Sequence, residues 1–254
     1  MGLAALEGDA MNSLPLIALL ILTADAAPRT TIIVVTGAPG DEQYGEMFDE
    51  WAGRWEKAAG EANAEIIRIG DSLHDFKTDR ELLQKQLELI DDEKTSTLWL
   101  VLIGHGTYDG RTAKFNLNGP DVSAEELATW LKPIDAPLAV INCASSSGPF
   151  INKLSGPNRV IVTATKSGNQ YNFARFGDYI STAITDKNAD LDKDNQTSLM
   201  EAFLSASAGV AEFYEQDARL ATEHALIDDN GDGLGTPADW FRGFRAVRSA
   251  KGGA

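Results

Sequence analysis

The chain of 254 residues holds one cysteine and three histidines. With a single cysteine no internal disulfide can form, so Cys143 has no job as a bridge. Basic side chains are scarce: 22 Lys and Arg stand against 38 Asp and Glu, a formal net charge of −16. Phosphate recognition needs a basic stripe, and none is present, which argues against nucleic acid as a partner. The same charge suits solubility, basic substrates or divalent cations. No segment reaches the roughly 20 apolar residues of a membrane span. Neither Gly-x-Ser-x-Gly nor His-Glu-x-x-His occurs, and there is no internal repeat or low-complexity tract. What is present, 43% hydrophobic and 8% aromatic residues, is the composition of an ordinary globular protein.

Residues 12–27 are expected to be a secretory signal. The apolar stretch 14–22 has the length of a signal core, and Ala24-Asp25-Ala26 offers small residues for cleavage before Ala27-Pro28. Upstream, Glu7 and Asp9 are unlike a signal's basic start, and initiation at Met11 would remove both. The alternative is a buried N-terminal helix. The reading is therefore a signal over 1–26, a catalytic domain over 27–188 and a C-terminal extension over 189–254, with export to the periplasm or medium.

Past this segment, strands and helices alternate. β-Branched, apolar runs over 30–36, 65–69, 97–103, 138–142 and 159–165 read as buried strands. Helices are expected over 45–62, with Met47, Trp51 and Trp55 on one face, over 78–93 behind a Thr78 N-cap, and over 123–131 behind the capping box Ser123-x-x-Glu126. Further helices are expected over 173–185 and 198–206, and Tyr108-Asp109-Gly110 opens a hairpin through 113–117. This rhythm predicts an α/β fold, a mostly parallel sheet covered by helices on both faces. From about residue 189 the strands are expected to stop.

Two of the apolar runs end in chemistry. One runs Leu102-Ile103-Gly104-His105-Gly106; the other runs Val140-Ile141-Asn142-Cys143-Ala144-Ser145. Adjacent parallel strands would bring the imidazole and the thiol to the carboxyl edge of the sheet, where α/β folds bind ligands. An imidazole can stabilise a thiolate and later protonate a leaving amine. Gly106 offers an unhindered amide to a substrate carbonyl, with the Cys143 amide as the second donor. Ala144-Ser145-Ser146-Ser147-Gly148 keeps the surroundings small.

This order resembles the caspase–legumain–gingipain clan of cysteine peptidases, over about residues 30–185. The resemblance implies a caspase-haemoglobinase three-layer sandwich, a His105/Cys143 dyad, Gly106 in the oxyanion hole and a polypeptide substrate. Asn142, Thr165, Lys166 and Ser167 fall where the clan builds its substrate pocket. Many clan members carry a polar residue two positions before the catalytic cysteine; Ile141 stands there, so an Arg or Lys preference does not carry over. Lys166 would favour an acidic side chain, or is simply a solvated loop lysine.

Two acidic loops follow. Residues 190–201 place Asp190, Asp192 and Asp194 at positions 1, 3 and 5, the Gln196 carbonyl at 7, Ser198 at 9 and Glu201 at 12 of an EF-hand-like calcium loop. Asn195 replaces the usual glycine at the sharp turn, where Asn tolerates a left-handed backbone. Residues 228–239 repeat the spacing with Asp228, Asn230, Asp232, Leu234 through its carbonyl, and Asp239. The expected cofactor is Ca2+, with none needed for the chemical step. Against it stands a pair of solvated acidic turns, the second a plain Asn-Gly/Asp-Gly turn. The rival to an enzyme is a catalytically silent domain acting as a calcium-dependent binding module.

Overall fold

A computed structural model describes residues 28–70 and 78–241. The expected signal and His74 lie outside them. The chain order is β1 (Arg29–Thr36), α1 (Glu42–Glu61), β2 (Glu65–Ile69), α2 (Asp79–Glu88), β3 (Thr95–Ile103), β4 (Gly106–Tyr108), β5 (Ala113–Phe115), β6 (Val122–Ser123), α3 (Ala124–Leu131), β7 (Leu138–Asn142), α4 (Pro149–Leu154), β8 (Arg159–Thr163), α5 (Phe176–Ala183), α6 (Leu199–Gln216), β9 (Leu226–Asp228) and β10 (Thr236–Pro237). Short 3-10 turns cover Lys187–Ala189 and Ala238–Phe241.

The main sheet runs β10-β9-β8-β7-β3-β1-β2. Strands β2, β1, β3, β7 and β8 are parallel, while β9 and β10 join antiparallel at one end. Side chains alternate faces along each strand, so one run feeds two cores. On β3, Val101 and Ile103 enter the layer under α1, α5 and α6, where Phe48, Trp51, Trp55, Phe176 and Phe203 pack. Leu100 and Leu102 enter the opposite layer, with Leu83, Leu127, Phe150 and Phe115. This is the expected three-layer sandwich. The hairpin after His105 is β4 and β5, joined by β6 into a small separate sheet.

Helix starts follow local chemistry closely. Thr78, Ser123 and Ser198 each cap a helix in a full capping box, with Glu81, Glu126 and Glu201 closing back. Three expectations need correction. The second helix stops at Glu88 rather than reaching 93, because residues 91–94 close a turn through Lys94 N–H to the Asp91 carbonyl at 3.0 Å. The final helix runs on to Gln216, since Val210 and Tyr214 continue its buried face. The strands do not stop at 189: β9 pairs along β8, with Ile227 opposite Val162, and so completes the sheet from within the acidic region.

Candidate active site

His105 stands just past β3, after Gly104. Its ring is held on three sides. Tyr44 and Phe48 of α1 meet it edge-on at centroid distances of 4.8 and 5.3 Å, and Phe173 meets it at 5.9 Å. Its Nε2 lies 3.1 Å from the Pro39 carbonyl. A carbonyl only accepts, so this contact puts the proton on Nε2 and leaves Nδ1 as the basic nitrogen. The loop after β1, which the sequence offered no chemical role, thus orients the histidine. That loop is itself anchored by Gly37 N–H to the Ile103 carbonyl at 2.8 Å and Ala38 N–H to the Asn116 carbonyl at 3.1 Å. A Cβ on Gly37 would lie 2.3 Å from the Asn116 carbonyl oxygen, so only glycine fits there.

The Cys143 side chain is buried. It continues the Ala139–Ile141 face of β7 into the core beneath α5 and is 1% exposed. A Cβ on Gly177 of α5 would stand 3.0 Å from the Cys143 Cβ and 2.5 Å from the Trp51 ring, which shows how closely the helix lies over it. Burial, and then the negative charge of Glu223, push its thiol far above the ordinary range. A nucleophilic thiol needs the opposite surroundings, partly exposed and electropositive. Its amide is also spoken for, donating to the Leu102 carbonyl at 2.9 Å as a sheet bond. The thiol expected as nucleophile is thus buried beneath α5, and the amide expected as second oxyanion donor is bonded within the sheet.

The group that does lie against Gly106 is Ser145. Its Oγ accepts from the Gly106 N–H at 3.3 Å and donates to the Gly106 carbonyl at 3.2 Å. A Cβ on Gly106 would lie 2.3 Å from the Ser145 carbonyl oxygen, so this approach requires glycine. Ser146 next to it has φ of 55°, a left-handed conformation costing roughly 1–2 kcal/mol for a residue with a side chain. Such strain, held by surrounding packing, gathers at functional turns. Its amide donates to the Gln170 carbonyl at 2.8 Å. The period of two along β7 gave no signal for Ser145, since it shares the parity of Ala139, Ile141 and Cys143.

The expected substrate-binding residues separate. Asn142 is fully buried, its Oδ1 accepting from the Ala144 N–H at 3.0 Å to bend the strand exit, so it shapes the chain rather than meeting substrate. Thr165 is buried too. Its hydroxyl lies 3.2 Å from the Ser147 hydroxyl and accepts from the Gly148 N–H at 3.0 Å. Lys166 is exposed and Ser167 half-buried, in the loop that crosses Gly148; a Cβ there would lie 2.4 Å from the Ser167 nitrogen. Gln170 ties this loop down, its Oε1 accepting from Lys166 N–H at 2.9 Å and its Nε2 lying 2.6 Å from His224 Nδ1. Beside it, the buried Glu223 carboxylate accepts from Arg175 N–H at 2.9 Å and Phe176 N–H at 3.0 Å, at the start of α5. Desolvation outweighs those bonds and holds the Glu223 carboxyl above the ordinary range.

The two acidic loops have one design. In each, the carboxylate or amide oxygen at position 3 takes the amide of position 5: Asp194 N–H to Asp192 at 3.1 Å, Asp232 N–H to Asn230 at 3.0 Å. Position 5 then takes the amide of position 7: Gln196 N–H to Asp194 at 2.9 Å, Leu234 N–H to Asp232 at 2.7 Å. Positions 4 and 6 are left-handed in both, at Lys193 and Asn195 and at Gly231 and Gly233. One oxygen from each of Asp190, Asp192 and Asp194 falls within 4.8 Å of the others. This all-oxygen set fits a hard cation such as Ca2+. Desolvation, then Asp194, raise the Asp192 carboxyl, the expected response of crowded like charges. Two positions differ from expectation. The Ser198 hydroxyl is taken by the capping box, donating to Glu201 at 2.8 Å. Asp239 sits beyond β10 in a 3-10 turn, whereas Glu201 reaches back to the Leu191 amide at 2.8 Å.

No family model and no curated protein sequence matches the chain. Solved structures do. The initiator caspase Dronc of Drosophila superposes with a TM-score of 0.53 at 13% identity, over 93% of this chain and 96% of that one. Caspase-1 from Spodoptera frugiperda gives 0.49 at 10% identity, over 80% and 86%. The fold is caspase-like. At such identities the likeness concerns the fold alone; among the described residues no helix is long and apolar enough to cross a membrane.

Proposed function

We propose that this caspase-like domain hydrolyses polypeptides at the carboxyl edge of its sheet. His105 is the proton carrier, and the Gly106 amide is the donor that stabilises the oxyanion of the tetrahedral intermediate. The observation that supports this best is the Nε2 contact of His105 with Pro39 at 3.1 Å, because it fixes one tautomer and holds the basic nitrogen at a defined place next to a glycine amide. Nothing of that kind is needed for a histidine that only fills space. Residues 12–27 are read with it as an export signal, and the two acidic loops as calcium sites that brace α6 and β9. Hydrolysis of a fluorogenic peptide library by wild type and His105→Ala tests the reading. A loss of about 100-fold or more in His105→Ala supports it; activity indifferent to His105 overturns it.

One observation favours a second reading. With Cys143 buried, its thiol is closed off, as a caspase-like binding module without catalysis would have it. In that case no peptide is cleaved, and calcium alone changes affinity for a partner.

A further inference from the structure

We infer that the cavity between α6, the start of α5 and the turn after β10 binds a small primary amine with a compact apolar body, its ammonium seated against Glu223. Neither His105 nor Gly106 lines it, so the inference stands apart from the hydrolase reading. The cavity holds about 330 Å3, within the roughly 300–1,000 Å3 of small-ligand pockets. Its floor is buried, with Ala164, Phe176 and Val210 beside Glu223. Its rim is exposed, with Ala208 of α6 and Asp239. Small side chains on the rim leave the entrance open, and the apolar floor takes up a hydrocarbon body but no large polar one.

The carboxylate on that floor selects the head group. Glu223 accepts from the Arg175 amide at 2.9 Å, the Phe176 amide at 3.0 Å and the Tyr214 hydroxyl at 3.2 Å. Three donors against about four lone-pair sites leave room for one more. Among the described residues no Lys, Arg or His side chain pairs with it. The nearest candidate, Arg175, lays its guanidinium over the Phe213 ring at 4.2 Å instead. A buried carboxylate is costly without a cation, and a ligand ammonium supplies one. The α6 wall adds a second acceptor: the Ser207 Oγ is buried and has no partner among the described residues. The rim holds no competing positive charge from His224, because burial, and then Lys166, keep its imidazole below the ordinary range. A carboxylate ligand would meet Glu223 and Asp239 as like charges, and a neutral one would leave Glu223 without its cation.

The test is calorimetric titration of the full-length protein at neutral pH with phenethylamine, phenethyl alcohol and phenylacetate, three ligands of one shape and three charges. The amine should bind at least about tenfold more tightly than the alcohol, the scale of one hydrogen bond to a charged group, and phenylacetate more weakly than either. Glu223→Gln should weaken the amine at least about tenfold and leave the alcohol within about twofold. Ala208→Trp, on the exposed rim of α6, fills the entrance and should abolish binding of both; it decides the matter even if Glu223→Gln does not fold. Equal affinity for amine and alcohol, or amine binding untouched by Ala208→Trp, overturns the inference. Residues 242–254 leave the chain at Phe241, which lines the cavity, and are the other possible occupant. A full-length Phe244→Ser variant that binds the amine at least about tenfold more tightly than wild type would give the cavity to that segment and overturn the inference as well.

Discussion

Cys143 and Ser145 follow the same strand two residues apart, and packing buries both, at 1% and 4% exposure, against different partners. Cys143 obeys the alternation of β7 and points into the layer under α1 and α5, against Trp51 and Gly177. Ser145 lies past the strand, where the chain turns and meets the backbone that follows His105. The more nucleophilic element is the one packed away, where desolvation keeps it protonated. The Ser145 hydroxyl is bonded to the backbone of Gly106, the residue after His105. Intrinsic reactivity ranks thiol above hydroxyl, and burial restrains both here.

The sharpest test removes the histidine and the hydroxyl in turn. His105→Ala should lower peptide hydrolysis about 100-fold or more, whereas Ser145→Ala, which removes only bonds to the Gly106 backbone, should lower it less. Steady-state rates on one substrate compare them directly, and equal losses would dissolve the contrast. Gly106→Ala comes next. The added methyl meets the Ser145 carbonyl oxygen, so activity should fall together with stability, by about 1–3 kcal/mol of overpacking. A thermal melt with no shift would show that the two segments pack less closely than that.

Stability sharpens the comparison further. Cys143→Ala removes a sulfur from a filled core and should cost about 1–2 kcal/mol, which is a few degrees in Tm for a chain of this size. The thiol itself should ignore Ellman's reagent at pH 8 in the native protein and react once the chain is unfolded. Prompt native reaction would mean that α5 opens readily. The acidic loops give a smaller and separate effect. With a Kd of about 10⁻⁴–10⁻³ M, calcium at ten millimolar should add roughly 1.4–2.7 kcal/mol by mass action. Glu201→Gln should lose most of that gain.

The pH dependence of these loops has a definite sign. Desolvation works against ionised Glu201, but the Ser198, Asp192 and Leu191 bonds outweigh it and hold the carboxyl below its ordinary range. Asp190 is lowered likewise, with the amides of Asn195 and Asp194 prevailing over desolvation. A carboxyl lowered by folding stabilises the fold above its unfolded value, and that stability is lost as pH falls through the folded one. Glu223 runs the other way. Its carboxyl is raised by burial, so its contribution is full below the ordinary value and lost as pH rises through the folded one. Melts from pH 3 to 7 should therefore show loop stability rising with pH, with a Glu223→Gln variant removing part of the opposing slope.

Much of this molecule is written locally. Apolar runs with β-branched residues became β1, β3, β7 and β8, and the capping boxes at Ser123 and Ser198 opened helices, because both signals act within a few residues. The 1-3-5 acidic spacing likewise folded into two matching loops, as each Asx side chain bonds an amide two residues on. The placement of His105 at a strand end was equally plain. Its orientation was not, since Pro39, Tyr44 and Phe173 come from three other segments. Nor was β9, whose short apolar pair Leu226-Ile227 becomes a strand only by lying along β8. The chain itself determined the alternating elements, the two strand ends and the absence of any bridge for its lone cysteine. Tertiary structure decided how deeply the side chains that follow β7 are buried. A strand dictates only alternation; which face is covered depends on what packs over it, and here α5 arrives from far along the chain to close over Cys143, while Ser145 is buried against Gly106.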